Sequence, residues 1–173
     1  SHLVFGVIMG TGVGGGIVTS GRLLTGSVGC GAELGHLYVG GDAQCGCGAV
    51  GCLEAWASTS GLIRQAKARG ESLADGRHLW AACEAQEDWA LRLAEDAGAG
   101  LGRGMASIAN AVNPTQIHLT GGLLAGREYL EDSVSAAFEQ HCIATARGAV
   151  EVKWRGRADQ AAILGVADLA GSL

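Results

Sequence analysis

The sequence has one proline in 173 residues, no block of Lys or Arg, and no apolar run near the roughly 20 residues that span a bilayer. The last absence excludes a transmembrane helix. The missing basic block, with a formal net charge of −5, argues against nucleic-acid or anionic-membrane binding by this segment. There is no internal repeat, low-complexity tract or interdomain linker, so the chain is neither an array nor a string of modules. With 48% hydrophobic residues it is long enough to bury a sizeable core as one domain.

Glycine is abundant, with 30 residues clustered at particular places rather than spread as a linker. Such clusters mark loops where backbone approaches something closely. Leu3 to Met9 is an apolar, β-rich run, and the loop GTGVGGG follows from Gly10 to Gly16. Ile17 to Thr19 resumes an extended pattern, and Ser20-Gly21 turns toward Arg22 to Leu24, which predicts a hairpin with a glycine-rich tip. Gly26 to Gly35 reads as loop, Leu37 to Val39 as a short strand, and Leu53 to Arg69 as a helix stopped by Gly70.

The longest periodic stretch places Trp89, Leu93, Ala97, Leu101, Met105, Ile108 and Val112 on one stripe at spacings of four and three, which predicts a long amphipathic helix. Asn113-Pro114 ends it. A strand is expected at Gln116 to Thr120, then a turn at Gly121-Gly122, a helix around Tyr129 to Gln140, a strand at Val150 to Trp154 and a last helix from about Asp159 to Ala170. Alternating strands and helices predict an α/β architecture, and the opening hairpin predicts a mixed sheet.

One imidazole and three thiols fall within seventeen residues: His36, Cys45, Cys47 and Cys52. Zinc favours four tetrahedral Cys and His ligands, and a structural site uses all four, leaving no place for a reactive water. Cys45 and Cys47 form C-x-C rather than the commoner C-x-x-C. Gly46, Gly48 and Gly51 separate the thiols, and positive φ at these positions is expected to fold the sulfurs onto one ion. The alternatives are disulfides or inert buried thiols. A C-x-C disulfide closes a strained ring, and an acidic chain without a signal peptide points to a reducing, cytoplasmic location. Cys30, Cys83 and Cys142 lie outside the cluster and are expected to be small core residues.

The Gly10 to Gly16 loop also has a chemical reading, since consecutive glycines expose N–H groups that cradle phosphate oxygens and Thr11 adds a hydroxyl. It has no lysine, which excludes the P-loop, and it opens no helix as a dinucleotide fingerprint does. A tight hairpin without ligand remains the alternative. Gly121-Gly122 is equally open to close nucleotide approach or a simple turn.

Taken together, GTGVGGGIVTSGRLLTG, AELGH and CGCGAVGCLE resemble the ROK family, which groups bacterial sugar kinases with sugar-responsive repressors. The resemblance covers nearly the whole chain. Its E-x-G-H element is Glu33-Leu34-Gly35-His36, and Asn113-Pro114, Gly121-Gly122 and GRADQAAILGVADLA resemble the family's later landmarks. Gly31-Ala32 departs from the pattern, where alanine more often precedes glycine. The resemblance implies the actin-like, ribonuclease H-like sugar-kinase fold, with residues 1–173 forming the carboxyl-terminal lobe and residues 36–54 a zinc-binding loop within it. The amino-terminal D-x-G-x-T motif and catalytic aspartate would lie before Ser1. The isolated chain is therefore expected to be inactive, as one lobe of a protein of roughly 300 residues.

By the same resemblance, Glu33 and Glu54 accept hydrogen bonds from a hexose or N-acetylhexosamine. His36 binds structural zinc through one ring nitrogen and turns its other side to the sugar. Gly10, Thr11, Gly12 and Gly14 face the ATP phosphates, Gly121 and Gly122 the adenosine side, and Mg²⁺ is a further cofactor. A homodimer is implied. Alternatively, Glu33 is a solvated loop carboxylate and Glu54 supports a helix amino terminus. Two function classes follow, an ATP-dependent sugar kinase and the effector lobe of a sugar-responsive repressor. A zinc-stabilised interaction module would leave Glu33 and the glycine loop unexplained.

Overall fold

Strand β1, Leu3–Met9, is the axis of the sheet. Its alternation buries Phe5, Val7 and Met9 and leaves Ile8 38% exposed, the period-two pattern of a strand with one covered face. Strand β2, Val13–Thr19, pairs antiparallel with it, Met9 opposite Val13, so the hairpin tip is only Gly10-Thr11-Gly12. The expected seven-residue loop is thus corrected, because Gly14, Gly15 and Gly16 lie in β2. Strand β3, Arg22–Leu23, follows the Ser20-Gly21 turn. Strands β4, Gln116–Thr120, and β5, Glu151–Trp154, run parallel to β1 in the order β3-β2-β1-β4-β5, which makes the sheet mixed. The computed structural model describes residues 3–155, and the expected helix at Asp159 to Ala170 lies outside them.

The helices are α1, Leu53–Ala57; α2, Thr59–Ala68; α3, Gly76–Glu84; α4, Asp88–Val112; α5, Arg127–His141; and α6, Ala144–Arg147. Leu93, Ala97, Leu101, Met105 and Ile108 of the α4 stripe are buried, each leucine contributing about 2 kcal/mol of transfer free energy. Trp89 is partly buried and Val112, at the fraying end, is 47% exposed. Asn113 closes α4 in the left-handed region at φ 47°, and Pro114 prevents continuation.

Four glycines sit inside α4, where each costs about 1 kcal/mol relative to alanine. Close packing explains them. A Cβ at Gly98 or Gly102 would overlap α5, and one at Gly100 or Gly104 would stand 2.5 Å from Trp56 or 3.0 Å from Leu53 of α1. Helix α4 is therefore gripped on one side by α5 and on the other by the short helix that follows the cysteines.

Three further expectations are corrected. The single helix from Leu53 to Arg69 is broken at Ser58, which is extended at φ −122°, ψ 155° and caps α2 by accepting from the Gly61 N–H at 2.9 Å. Leu37 to Val39 is not a strand but contributes one bridge, Tyr38 to Cys52, while Leu34–His36 form a 3₁₀ turn. Cys30 is exposed, whereas Cys83 and Cys142 are buried as expected. No helix among the described residues is long and apolar enough to cross a membrane.

Candidate functional site

The cysteine loop folds back as a narrow ribbon. Val39 N–H donates to Gly51 O at 2.8 Å, Gly51 N–H to Ala43 O at 2.9 Å and Cys45 N–H to Ala49 O at 2.9 Å. Gly48 and Gly51 take positive φ, as their spacing predicts, but Gly46 does not. Trp56 of α1 pins the lead-in by donating its indole N–H to Gly40 O at 3.0 Å, and Arg103 of α4 holds Val39 O at 2.7 Å.

This folding gathers His36, Cys45, Cys47 and Cys52, whose ligand atoms all lie within 4.8 Å of one another. Cys45 Sγ stands 3.9 Å from His36 Nδ1, and Cys47 Sγ 3.9 Å from Cys52 Sγ. Zinc–sulfur bonds of about 2.3 Å in a tetrahedron separate two sulfurs by about 3.8 Å. A disulfide would need about 2.05 Å. The donor set and its spacing are therefore compatible with a closed Cys₃His zinc site. Burial, and then contact with Cys45 and Cys47, pushes the Cys52 thiol up to about 12. Cys47, at the surface, is lowered, first by the Ala49 backbone N–H. A sulfur held as a neutral thiol ligates only by releasing its proton, so cation binding here tightens as pH rises.

The E-x-G-H segment is placed by β2. Gly15 leaves room for Leu34, since a Cβ there would lie 2.5 Å from the leucine, and Gly35 packs directly on the Val13 carbonyl. The turn so fixed presents Glu33 and His36 at the surface, His36 with Nδ1 toward Cys45. Just before it, Ala32 has φ 66°, a left-handed conformation that costs an alanine about 1–2 kcal/mol. Glycine would relieve that strain, which is the structural meaning of the inverted Gly31-Ala32 order.

Glu54 lies on the first turn of α1, partly buried between the cysteine loop and the hairpin tip. Its Oε2 accepts from the Val13 N–H at 3.0 Å and its Oε1 stands 3.8 Å from Cys45 Sγ. Gly12 faces it so closely that a Cβ would come within 2.6 Å of Oε2. The rest of the tip is held by the start of α2: Thr59 N–H donates to Gly10 O at 2.9 Å and Ser60 N–H to Thr11 O at 3.1 Å. The helix break at Ser58 is what frees these two donors.

Gly10, Thr11 and Gly122 line one cleft of about 340 Å³, together with Thr59, Arg77 and Trp80. Gly121 opens instead onto an adjoining cleft of about 300 Å³, shared with Gly122 and bounded by Arg127 and Trp154. Gly14 reaches neither cleft, being in β2, and the Gly10 N–H is spent on Gly12 O at 2.9 Å. Sequence reasoning missed α3, which supplies Arg77 and Trp80. Its signal was Asp75, whose carboxylate accepts from the His78 N–H at 2.8 Å as an N-cap.

A model of the ROK family matches residues 1–172. The glucokinase of Halalkalibacterium halodurans is 31% identical over 175 residues, covering 92% of this chain and 53% of its own length. The crystal structure of a ROK hexokinase from Thermus thermophilus has a TM-score of 0.78 at 33% identity, covering 88% of this chain and 51% of that one. That of a ROK family transcriptional regulator, a homologue of the E. coli MLC protein, has a TM-score of 0.76 at 25% identity, covering 89% and 42%. The chain thus spans about half the length of the relatives it matches, and it has the sugar-kinase lobe fold of these neighbours.

Proposed function

The chain belongs to the ROK family, and on that premise we propose that it is the carboxyl-terminal lobe of an ATP-dependent kinase for a hexose or N-acetylhexosamine, completed by an amino-terminal lobe. The observation that carries this reading is the position of Glu54, 3.8 Å from Cys45 of the cysteine cluster on one side and hydrogen-bonded at 3.0 Å to Val13, the residue that follows the hairpin tip, on the other. The sugar-facing and phosphate-facing segments meet at that residue.

In this reading Glu33 and the exposed edge of His36 accept and donate hydrogen bonds to the sugar, with Glu54 Oε1 as a second acceptor. A zinc ion held by His36, Cys45, Cys47 and Cys52 is structural and supplies rigidity rather than an activated water. Gly10, Thr11 and Gly12 approach the phosphates, and Gly121, Gly122 and Trp80 border the nucleoside. The sugar hydroxyl gives its proton to an aspartate of the other lobe as its oxygen bonds the γ-phosphorus, and the bond to the β-phosphate oxygen breaks to release ADP. Mg²⁺ neutralises phosphate charge when bound. What this chain contributes is positioning, which governs the rate of a reaction that requires two substrates in line.

The likeness to a transcriptional regulator supports a second reading, in which the same lobe senses sugar without turnover. ADP release by the full protein with MgATP and a panel of hexoses and N-acetylhexosamines separates the two. Sugar-dependent release is expected. Sugar binding with no release would replace the kinase by the sensor.

A further inference from the structure

We infer that the cysteine loop and the hairpin tip are one mechanical unit joined through Glu54, so that metal occupancy sets nucleotide affinity as well as sugar affinity. The nucleotide part rests on the reading proposed above; the coupling itself is a property of the fold.

Both ends of the cysteine loop converge on the first residue of α1. Leu53 follows Cys52 directly, and its N–H donates to Leu37 O at 2.8 Å, next to His36. Fixing His36 and Cys52 on one ion therefore fixes where α1 begins. Glu54 is the next residue, and its carboxylate takes the Val13 N–H. Five and six residues on, Thr59 and Ser60 hold the carbonyls of Gly10 and Thr11. Three of the four residues Gly10 to Val13 thus have a backbone group bonded from the segment 54–60. Gly35, adjacent to His36, packs on the Val13 carbonyl from the other side.

A flexible glycine tip has many conformations, and these bonds select one of them. Releasing the metal loosens residues 36–52, and the side-chain hydrogen bond that carries that loosening to the tip is the one Glu54 accepts from the Val13 N–H. Coupling between two sites in proteins is typically 5–150-fold, and it is reciprocal: bound nucleotide must tighten metal retention by the factor that metal tightens nucleotide. Glu54 acts here as a positioning residue, through Val13.

The test uses the full protein with its metal content measured, in wild-type, Glu54→Ala and Glu54→Gln forms. Two readouts are taken: hydrogen exchange of the residue 10–13 amides without ligand, and titration with the non-hydrolysable MgAMPPNP. Glutamine keeps an acceptor for the Val13 N–H, and alanine does not. Metal-loaded Glu54→Ala is expected to lose protection at Val13 and to bind nucleotide roughly 10-fold more weakly, while Glu54→Gln stays within roughly threefold of wild type. Stripping the metal with a chelator should reproduce the loss in wild type and add little in Glu54→Ala. Unchanged Val13 protection in metal-loaded Glu54→Ala, or a metal effect of equal size in both backgrounds, would overturn the inference. If protection responds as expected but wild type binds no nucleotide, the kinase reading falls and the coupling stands.

Discussion

Replacing Gly121 with alanine is expected to destabilise the protein by about 3–5 kcal/mol, the largest effect of any single methyl addition near the site. Two costs combine. Gly121 has φ 118°, ψ 167°, a region open essentially to glycine alone. Its Cβ would also overlap the carbonyl of Met9, which is sheet backbone and cannot rotate away. The strand-to-turn corner after β4 has to pass under β1 at this point, and no side chain fits between them. Gly122 is the matched control. A Cβ there meets nothing within 4 Å and its φ is not positive, so Gly122→Ala should change stability by under about 1 kcal/mol while narrowing the cleft. Denaturant melts of both variants check this. Equal midpoints would show that the corner yields and that Gly121 is not structurally required.

Cys47→Ser is expected to weaken zinc retention by at least roughly 100-fold, worth about 2.7 kcal/mol of folding stability where free zinc is in excess. The exposure of Cys47 makes the substitution diagnostic. Exchanging sulfur for oxygen on an exposed residue normally moves stability by no more than about 0.5 kcal/mol. A large loss would therefore report a missing ligand bond rather than a packing defect, which could not be said of the buried Cys52. The loss should be confined to the segment carrying His36 and the cysteine loop, with α4 and α5 still helical. Metal analysis and a thermal melt of the variant test this, and a Cys47→Ser protein that keeps both metal and melting temperature would remove Cys47 from the ligand set.

Much of the fold was legible because its signals are local. The run Leu3 to Met9 and the stretch Gln116 to Thr120 are strands with the expected ends, and the middle of the α4 stripe, Leu93 to Ile108, is buried as its period predicts. The grouping of His36, Cys45, Cys47 and Cys52 was legible for the same reason, because they lie close together in sequence. What sequence reasoning missed depends on residues distant in the chain. Gly14 to Gly16 read as a loop because glycine weakens a strand, and their place in β2 is explained by Leu34, which packs where a Cβ at Gly15 would be. The helix break at Ser58 exists to hold the Gly10 and Thr11 carbonyls, some fifty residues away. The sugar-binding role expected of Glu54 rests on resemblance alone, and its bond to Val13 has no signature in the sequence at all. The glycines of α4 fell inside the predicted helix with no reason for them visible in the sequence, and they are explained by α1 and α5 lying against them.

The claim on which the account turns is that the four clustered side chains organise this site around zinc. Metal analysis of protein purified without chelators tests it most directly, paired with alkylation of the native chain. The account predicts one zinc per chain, with Cys30 modified freely and Cys45, Cys47 and Cys52 protected until the metal is stripped. A stoichiometry well below one, with those three thiols alkylated as readily as Cys30, would contradict it.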